Sequence, residues 1–142
     1  MPDRRRISAA VRRRLAQEAK HACSYCRSPS VAGVPMAIDH IVPVSVGGSN
    51  QSTNLCLACY RCNEFKGART SAIDPLSGQT GQFYHPKSQR WADHFAWSRD
   101  GLLIQAVSLT GRVTVEALHM NSDWLIQARK IWILAGIHPP LD

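Results

Sequence analysis

The sequence predicts an α+β fold: a strand, loop, strand and helix core pinned by paired cysteines, with a basic helix before it and a strand and helix extension after it. Three observations predict it. All five cysteines, Cys23, Cys26, Cys56, Cys59 and Cys62, fall within forty residues, and Cys23 with Cys26 and Cys59 with Cys62 form two Cys-x-x-Cys pairs, Cys56 and Cys59 sharing the same spacing. Between those pairs a β-prone run, Met36 to Pro43, is separated from a second short apolar run at Leu55 to Leu57 by the turn-forming Gly47-Gly48-Ser49-Asn50. Apolar residues at helical spacing flank this core on both sides.

Taken in order, Ser8 is an N-cap for a helix whose Val11, Leu15 and Ala19 recur every four residues, leaving the arginines outside. Residues 23–26 form a tight knuckle, and Ser28 to Pro35, with Pro29, Gly33 and Pro35, reads as loop. A first strand follows and ends at Pro43. The paired glycines supply positive φ for a hairpin-like loop, Leu55 to Leu57 return as a second strand, and Cys59 to Cys62 open a helix through about Lys66. Residues 67–90, rich in Gly, Ser, Thr and Pro, read as an extended wrapping segment. Further on, Leu102 to Val107 and Arg112 to Val115 read as strands about a Thr110-Gly111 turn, with helix as the competing reading for Val115 to Met120. Asn121-Ser122-Asp123 then caps a last helix carrying Leu125, Ala128, Trp132 and Ala135, stopped by Gly136 and Pro139-Pro140. The expected organisation is one domain: a basic helix over 1–22, a core over 23–68, and a wrapping segment with a helical extension over 69–142.

Composition narrows the function classes. Seventeen Lys and Arg against ten Asp and Glu give a formal net charge of +7, which favours polyanionic partners. The excess is concentrated at the start, in Arg4, Arg5, Arg6, Arg12, Arg13, Arg14 and Lys20 against Asp3 and Glu18. No run approaches the roughly 20 apolar residues a membrane span needs, and no export signal opens the chain, so a cytoplasmic protein without membrane attachment is expected. Oligomeric state is not legible. His85, His94, His119 and His138 read as structural, and Trp91, Phe95, Trp97, Trp124 and Trp132 as core.

An odd number of cysteines without an export signal favours metal ligation over disulfides. Two thiolate pairs brought together bind a tetrahedral Zn²⁺, so Cys23, Cys26, Cys59 and Cys62 are the expected ligands of a structural zinc ion. Cys56-x-x-Cys59 is an equally valid pair by spacing. Cys59 and Cys62 are preferred because a knuckle at the helix start leaves Cys56 on a strand as a small buried apolar residue. His21 is a further possible ligand.

The residues Asp39-His40-Ile41-Val42-Pro43, then Gly47-Gly48-Ser49, Asn54-Leu55 and Cys59-x-x-Cys62-Asn63-x-x-Lys66-Gly67, resemble the signature of the HNH endonucleases in their four-cysteine form. The resemblance covers residues 20–68, with Asn63 at the third motif position where other members carry histidine. It implies a ββα-metal core and a metal-dependent DNA endonuclease, and it implies that Asn54 holds the loop and orients His40 through backbone hydrogen bonds. Phe83 to Trp97, Gly111-Arg112 and the last helix also resemble the tail of small bacterial HNH proteins.

The chemistry agrees with that resemblance. Phosphodiester hydrolysis needs an activated water and charge neutralisation at phosphate. His40 is the natural general base, since a neutral imidazole accepts a proton near pH 7. Asp39 and Asn63, one anionic and one neutral oxygen donor, suit Mg²⁺ or another divalent cation. Because neighbouring residues on a strand face opposite sides, the strand end must twist for Asp39 and His40 to serve one phosphate. Lys66, one turn after Asn63, is placed to stabilise phosphate. Arg61 and Arg69 could position the nucleic-acid backbone, and the N-terminal arginines, Arg4 to Arg6 and Arg12 to Arg14, provide non-specific attraction to it. A catalytically silent zinc-ribbon module that only binds nucleic acid is the competing reading; it requires none of Asp39, His40, Asn54 and Asn63.

Overall fold

The computed structural model describes residues 7–140; the expectations for Arg4, Arg5 and Arg6 lie outside them. The chain divides into two units, one running through Thr70 and taking in His85–Gln89, the other comprising Ser71–Tyr84 and the chain from Arg90 onward. Among the described residues no helix is long and apolar enough to cross a membrane.

The first unit begins with α1, Ala9–Glu18, capped by the Ser8 hydroxyl, which accepts the Val11 N–H at 3.1 Å. Its Leu15 is buried, and it packs with Ile38, Leu55 and Leu57 into a small apolar core to which Val11, Ala16 and Ala19 add cover. Strand β1, Met36–His40, pairs antiparallel with β2, Leu55–Cys59, in the register Asp39 to Cys56 and His40 to Leu55. Every residue of β2 is buried, although the sheet has only two strands. Helix α2, Tyr60–Lys66, follows β2 directly, and its N-cap is Cys59, whose sulfur accepts the Cys62 N–H at 3.4 Å. Strand, loop, strand and helix thus follow the expected order, and the mixed helix and sheet content is that of the expected ββα core.

Residues 41–54 connect the strands in a loop drawn tight around Val42. Gly48 is obligatory here, because a Cβ at this position would stand 1.7 Å from the Val42 carbonyl oxygen. Asn54 closes the loop from inside: its Oδ1 accepts the Val42 N–H at 2.8 Å, while its Nδ2 donates to the Val42 and Ser49 carbonyls at 3.0 and 2.9 Å.

The second unit corrects two expectations. Within residues 67–90, expected to lack any element, Ser71–Ile73 (β3) and Thr80–Gln82 (β4) form an antiparallel hairpin. Asp74 organises its turn by accepting from Leu76 N, the Ser77 hydroxyl and Arg112, so polar turn chemistry supplies what apolar alternation did not. Arg112 to Val115, expected as a strand, lies in helix α3, Leu109–Ala117. Ser108 caps it, accepting the Gly111 N–H at 2.9 Å, so Gly111 lies in the first turn of a helix and not in a strand-to-strand turn. The glycine is there for packing, since a Cβ would stand 2.2 Å from the His94 carbonyl oxygen. The partner of Ile104–Ala106 (β6) is Phe95–Trp97 (β5).

The final helix, α4, spans Asp123–Leu134 and ends before Gly136, whose φ of 75° breaks it. Trp91, Phe95 and Trp132 are buried as expected, with Trp91 and Phe95 ring centroids 5.1 Å apart, whereas Trp124 is half exposed. Arg129 is buried as well, donating to the carbonyls of Leu102 and Met120 and to the Asn121 side chain at 2.8, 2.5 and 3.1 Å.

Candidate active site and metal centre

β2 and α2 deliver Cys59 and Cys62, and the knuckle after α1 delivers Cys23 and Cys26. The four sulfurs lie within 4.8 Å of one another, and all four residues are buried. Cys26 and Cys59 sulfurs stand 3.7 Å apart, and none of the five cysteines is in a disulfide. Four sulfurs at about 2.3 Å around a tetrahedral zinc ion are separated by about 3.8 Å, so the cluster fits such an ion. Burial and the neighbouring thiols hold Cys23 well above the usual thiol range, whereas bonds from those neighbours to Cys26 lower it well below. A cation at the centre would relieve the penalty on the thiolates. His21, on the surface, is not among the four.

Cys56 stays out of the cluster. It is a buried thiol whose sulfur lies 3.9 Å from Asp39 Oδ2, and burial, followed by the Asp39 charge, pushes it up to about 12. It is therefore a neutral neighbour of the carboxylate.

Asp39 is itself buried, with 2% of its surface exposed. Tyr25, inside the first knuckle, donates its hydroxyl to Oδ2 at 2.7 Å. The Lys66 ammonium lies 3.3 Å from Oδ2 and 3.4 Å from Oδ1, and it donates to the His40 carbonyl at 3.0 Å. Burial raises the Asp39 carboxyl, and Lys66, the Tyr25 hydroxyl and His40 pull it back. Burial likewise holds Tyr25 up, which keeps it a neutral donor. Lys66 is 1% exposed and so turned inward, bridging the end of α2 to the end of β1.

His40 points to a different partner. Its Nε2 stands 2.7 Å from Asn50 Oδ1, and an oxygen that only accepts requires the proton on Nε2. In the neutral tautomer that donates from Nε2 the lone pair is on Nδ1, which is buried with no hydrogen-bond partner. Buried polar atoms without partners are rare enough to call for an explanation, and a bound water is one; His138 Nδ1 in the second unit is a further case. Asn63, half-buried on α2 directly after Cys62, has no side-chain hydrogen bond among the described residues.

The structure thus brings Asp39, Lys66 and the His40 backbone together, places Asn63 on the same helix as Lys66, and puts Asn54 at the loop closure. Asn50, Tyr25 and Cys56 were missed as partners of this group. Tyr25 was signalled by an aromatic inside a metal-binding knuckle, and Asn50 by lying in the glycine loop four residues before Asn54.

The arginines are dispersed. Arg12, Arg13 and Arg14 are exposed on α1. Arg61 stacks over Phe65 at 5.3 Å, and Arg69 donates to the Phe65 and Lys66 carbonyls at the end of α2. His85 joins the first unit, its Nδ1 accepting the backbone N–H groups of Lys87 and Ser88; burial and the Lys66 charge lower its imidazole.

Comparison with known proteins places this geometry. A family model described as HNH endonuclease matches residues 23–73. Over 52 residues, 36% of this chain, the sequence is 42% identical to the CRISPR-associated endonuclease Cas9 of Corynebacterium diphtheriae. The chain spans about 5% of that relative's length. The matched stretch holds both knuckles, the loop, the buried Asp39 and Lys66 pair and His40, so it is residues 23–73 that are similar to the HNH endonucleases, with the four-cysteine cluster inside the match.

Proposed function

We propose that the first unit is a DNA endonuclease that hydrolyses phosphodiester bonds with His40 as general base. The observation that supports it most is the imidazole: Asn50 fixes the proton on Nε2, which leaves the Nδ1 lone pair unpartnered. A water held at Nδ1 would give up its proton there as it attacks phosphorus, help typically worth about 10²- to 10⁴-fold. Because Nδ1 is buried, the groups that cover it have to yield for substrate and water to enter.

Asp39 and Asn63 would hold one divalent cation, Mg²⁺ or a similar hard ion, which when bound neutralises charge on the phosphate and the departing oxygen. The donor chemistry fits, for the Lys66 ammonium already stands as a cation against both Asp39 oxygens. The four thiolates would hold a structural zinc ion that fixes the start of α2, and with it Asn63. Asn54 closes the loop that carries Asn50, and so orients His40 indirectly. Arg12, Arg13 and Arg14, with Arg4 to Arg6, would attract the phosphate backbone without reading sequence, and Arg61 and Arg69 would lie along it. Five cysteines without a disulfide, four of them proposed as zinc ligands, suit a reducing cytoplasm.

One observation favours the competing reading of a silent zinc module: Asp39 and Lys66 are closed upon each other and buried. Supercoiled plasmid separates the two. Incubation with Mg²⁺, Mn²⁺ or Ni²⁺ should nick or linearise it, EDTA and His40→Ala should abolish this, and equal inertness of wild type and His40→Ala with all three ions would leave the binding module.

A further inference from the structure

We propose that Lys66 is a tethered competitor of the divalent cation: its ammonium stands against both Asp39 oxygens, where a cation would bind, and loading the metal requires its withdrawal. The inference rests on the nuclease reading only in taking Asp39 as a cation ligand.

The geometry carries it. Lys66 lies within 3.4 Å of both Asp39 oxygens and at 3.0 Å from the His40 carbonyl, while Tyr25 donates to Oδ2 from the other side. Both Asp39 oxygens and the His40 carbonyl are therefore engaged, and three of those contacts come from one ammonium that is 1% exposed. A lysine is not buried this way without a charge partner, and Asp39 is the only carboxylate that pairs with it among the described residues. A divalent cation placed against the same carboxylate would sit within a few ångströms of the ammonium. Repulsion between an ammonium and a divalent ion a few ångströms apart, only partly screened in a buried site, disfavours holding both against one carboxylate. Lysine is suited to leave, since its four-carbon stem rotates freely and its ammonium is a point charge, whereas Tyr25 is a rigid neutral donor that can remain.

The site is then self-neutralised without metal. That explains how a carboxylate buried at this depth is tolerated in a folded chain: the tethered cation neutralises it. It also sets affinity, because the divalent ion is weighed against a cation whose effective concentration is fixed by the fold.

The test is Mn²⁺ binding to zinc-loaded full-length protein, read from the free Mn²⁺ signal in electron paramagnetic resonance, for wild type, Lys66→Met, and Lys66→Met with Asp39→Asn. Lys66→Met should bind Mn²⁺ at least about tenfold more tightly than wild type, and adding Asp39→Asn should remove that gain. Lys66→Met leaves Asp39 buried without its partner, so thermal melting is followed alongside. The variant should melt lower than wild type without Mn²⁺ and recover more on adding it, since an ion that binds only the folded state stabilises in proportion to its affinity. Equal or weaker Mn²⁺ binding by Lys66→Met, or no larger recovery in melting, would overturn the proposal, as would absence of binding in every variant. Plasmid cleavage by wild type in the same buffer keeps the two failures apart. Cleavage that depends on His40 with unchanged Mn²⁺ affinity sinks the competitor alone, and tighter binding without cleavage sinks the nuclease reading alone.

Discussion

Replacing Asn54 by alanine is the sharpest probe of how the loop serves His40. The side chain makes three hydrogen bonds, one from Val42 N–H and two to the carbonyls of Val42 and Ser49, and it is 9% exposed. At about 1 kcal/mol net for each bond, and more for any group left buried without a partner, the loss comes to roughly 2–4 kcal/mol. The cost should fall on the loop first, because β1 and β2 keep their ladder and the Ile41 N–H still bonds the Asn54 backbone carbonyl at 2.9 Å. Val42 amide exchange should therefore accelerate well beyond that of Ile38, and urea unfolding should shift by the same few kcal/mol or less. If the loop positions Asn50, and Asn50 the imidazole, cleavage should fall by up to about 10²-fold, the cost of misplacing a reacting group by about 1 Å. In a His40→Ala background the same change should cost almost nothing further. A protected Val42 amide together with wild-type cleavage would refute the clamp. Lost protection with wild-type cleavage would confine Asn54 to stability.

Three further outcomes follow from the geometry. Asn50→Ala removes the acceptor that fixes the proton on His40 Nε2, so cleavage should drop about tenfold, equivalent to roughly 1.4 kcal/mol in barrier, with little change in melting; an unchanged rate would show that the tautomer is set otherwise. Removing metal from the four thiolates should lower apparent stability by up to on the order of 10 kcal/mol, visible as loss of far-ultraviolet dichroism when zinc release is followed colorimetrically, and an unchanged spectrum after full release would show that the cluster is dispensable for folding. Asp74, held below the usual carboxylate range by the Ser77 hydroxyl, the Leu76 N–H and Arg112, contributes stability that is complete above the unfolded value of about 3.9 and is lost as pH falls through its lower folded value. Asp74→Asn should flatten that acid limb in urea titrations at pH 6 and pH 3, and parallel limbs for both proteins would remove Asp74 from the account.

The first unit was more legible in the sequence than the second, for a physical reason. Its elements are announced by chemistry with fixed spacing: a serine cap before Val11 and Leu15, Cys-x-x-Cys pairs, and paired glycines between β-prone runs. In the second unit polar side chains write the structure through contacts remote in sequence. The β3–β4 hairpin is closed by Asp74 with Arg112, thirty-eight residues away. Gly111 sits inside α3 because the His94 carbonyl passes close by, and local propensity alone reads the same glycine as a turn. The site shows the same division. Residue types at Asp39, His40 and Asn63 were readable, but that Asp39 turns to Tyr25 and Lys66 while His40 turns to Asn50 depends on which side of β1 each faces and on what the loop places there.

The stability of α2 ties these features together. With seven residues it is far below the length at which an isolated helix is stable in water, and it carries both Asn63 and Lys66. The buried apolar cluster of Leu15, Ile38, Leu55 and Leu57 includes no residue of this helix. What holds α2 is polar at both ends: Cys59 and Cys62 in the thiolate cluster at its start, and at its last residue the Lys66 bonds to Asp39 and the His40 carbonyl. On the proposed reading, the two ends have different tasks. The zinc end must stay fixed, so that Asn63 keeps its place through every cycle, while the lysine end must release when a divalent ion arrives. A site built this way can exchange one cation for another without losing the helix that presents its ligand, provided the thiolate end alone suffices to hold it.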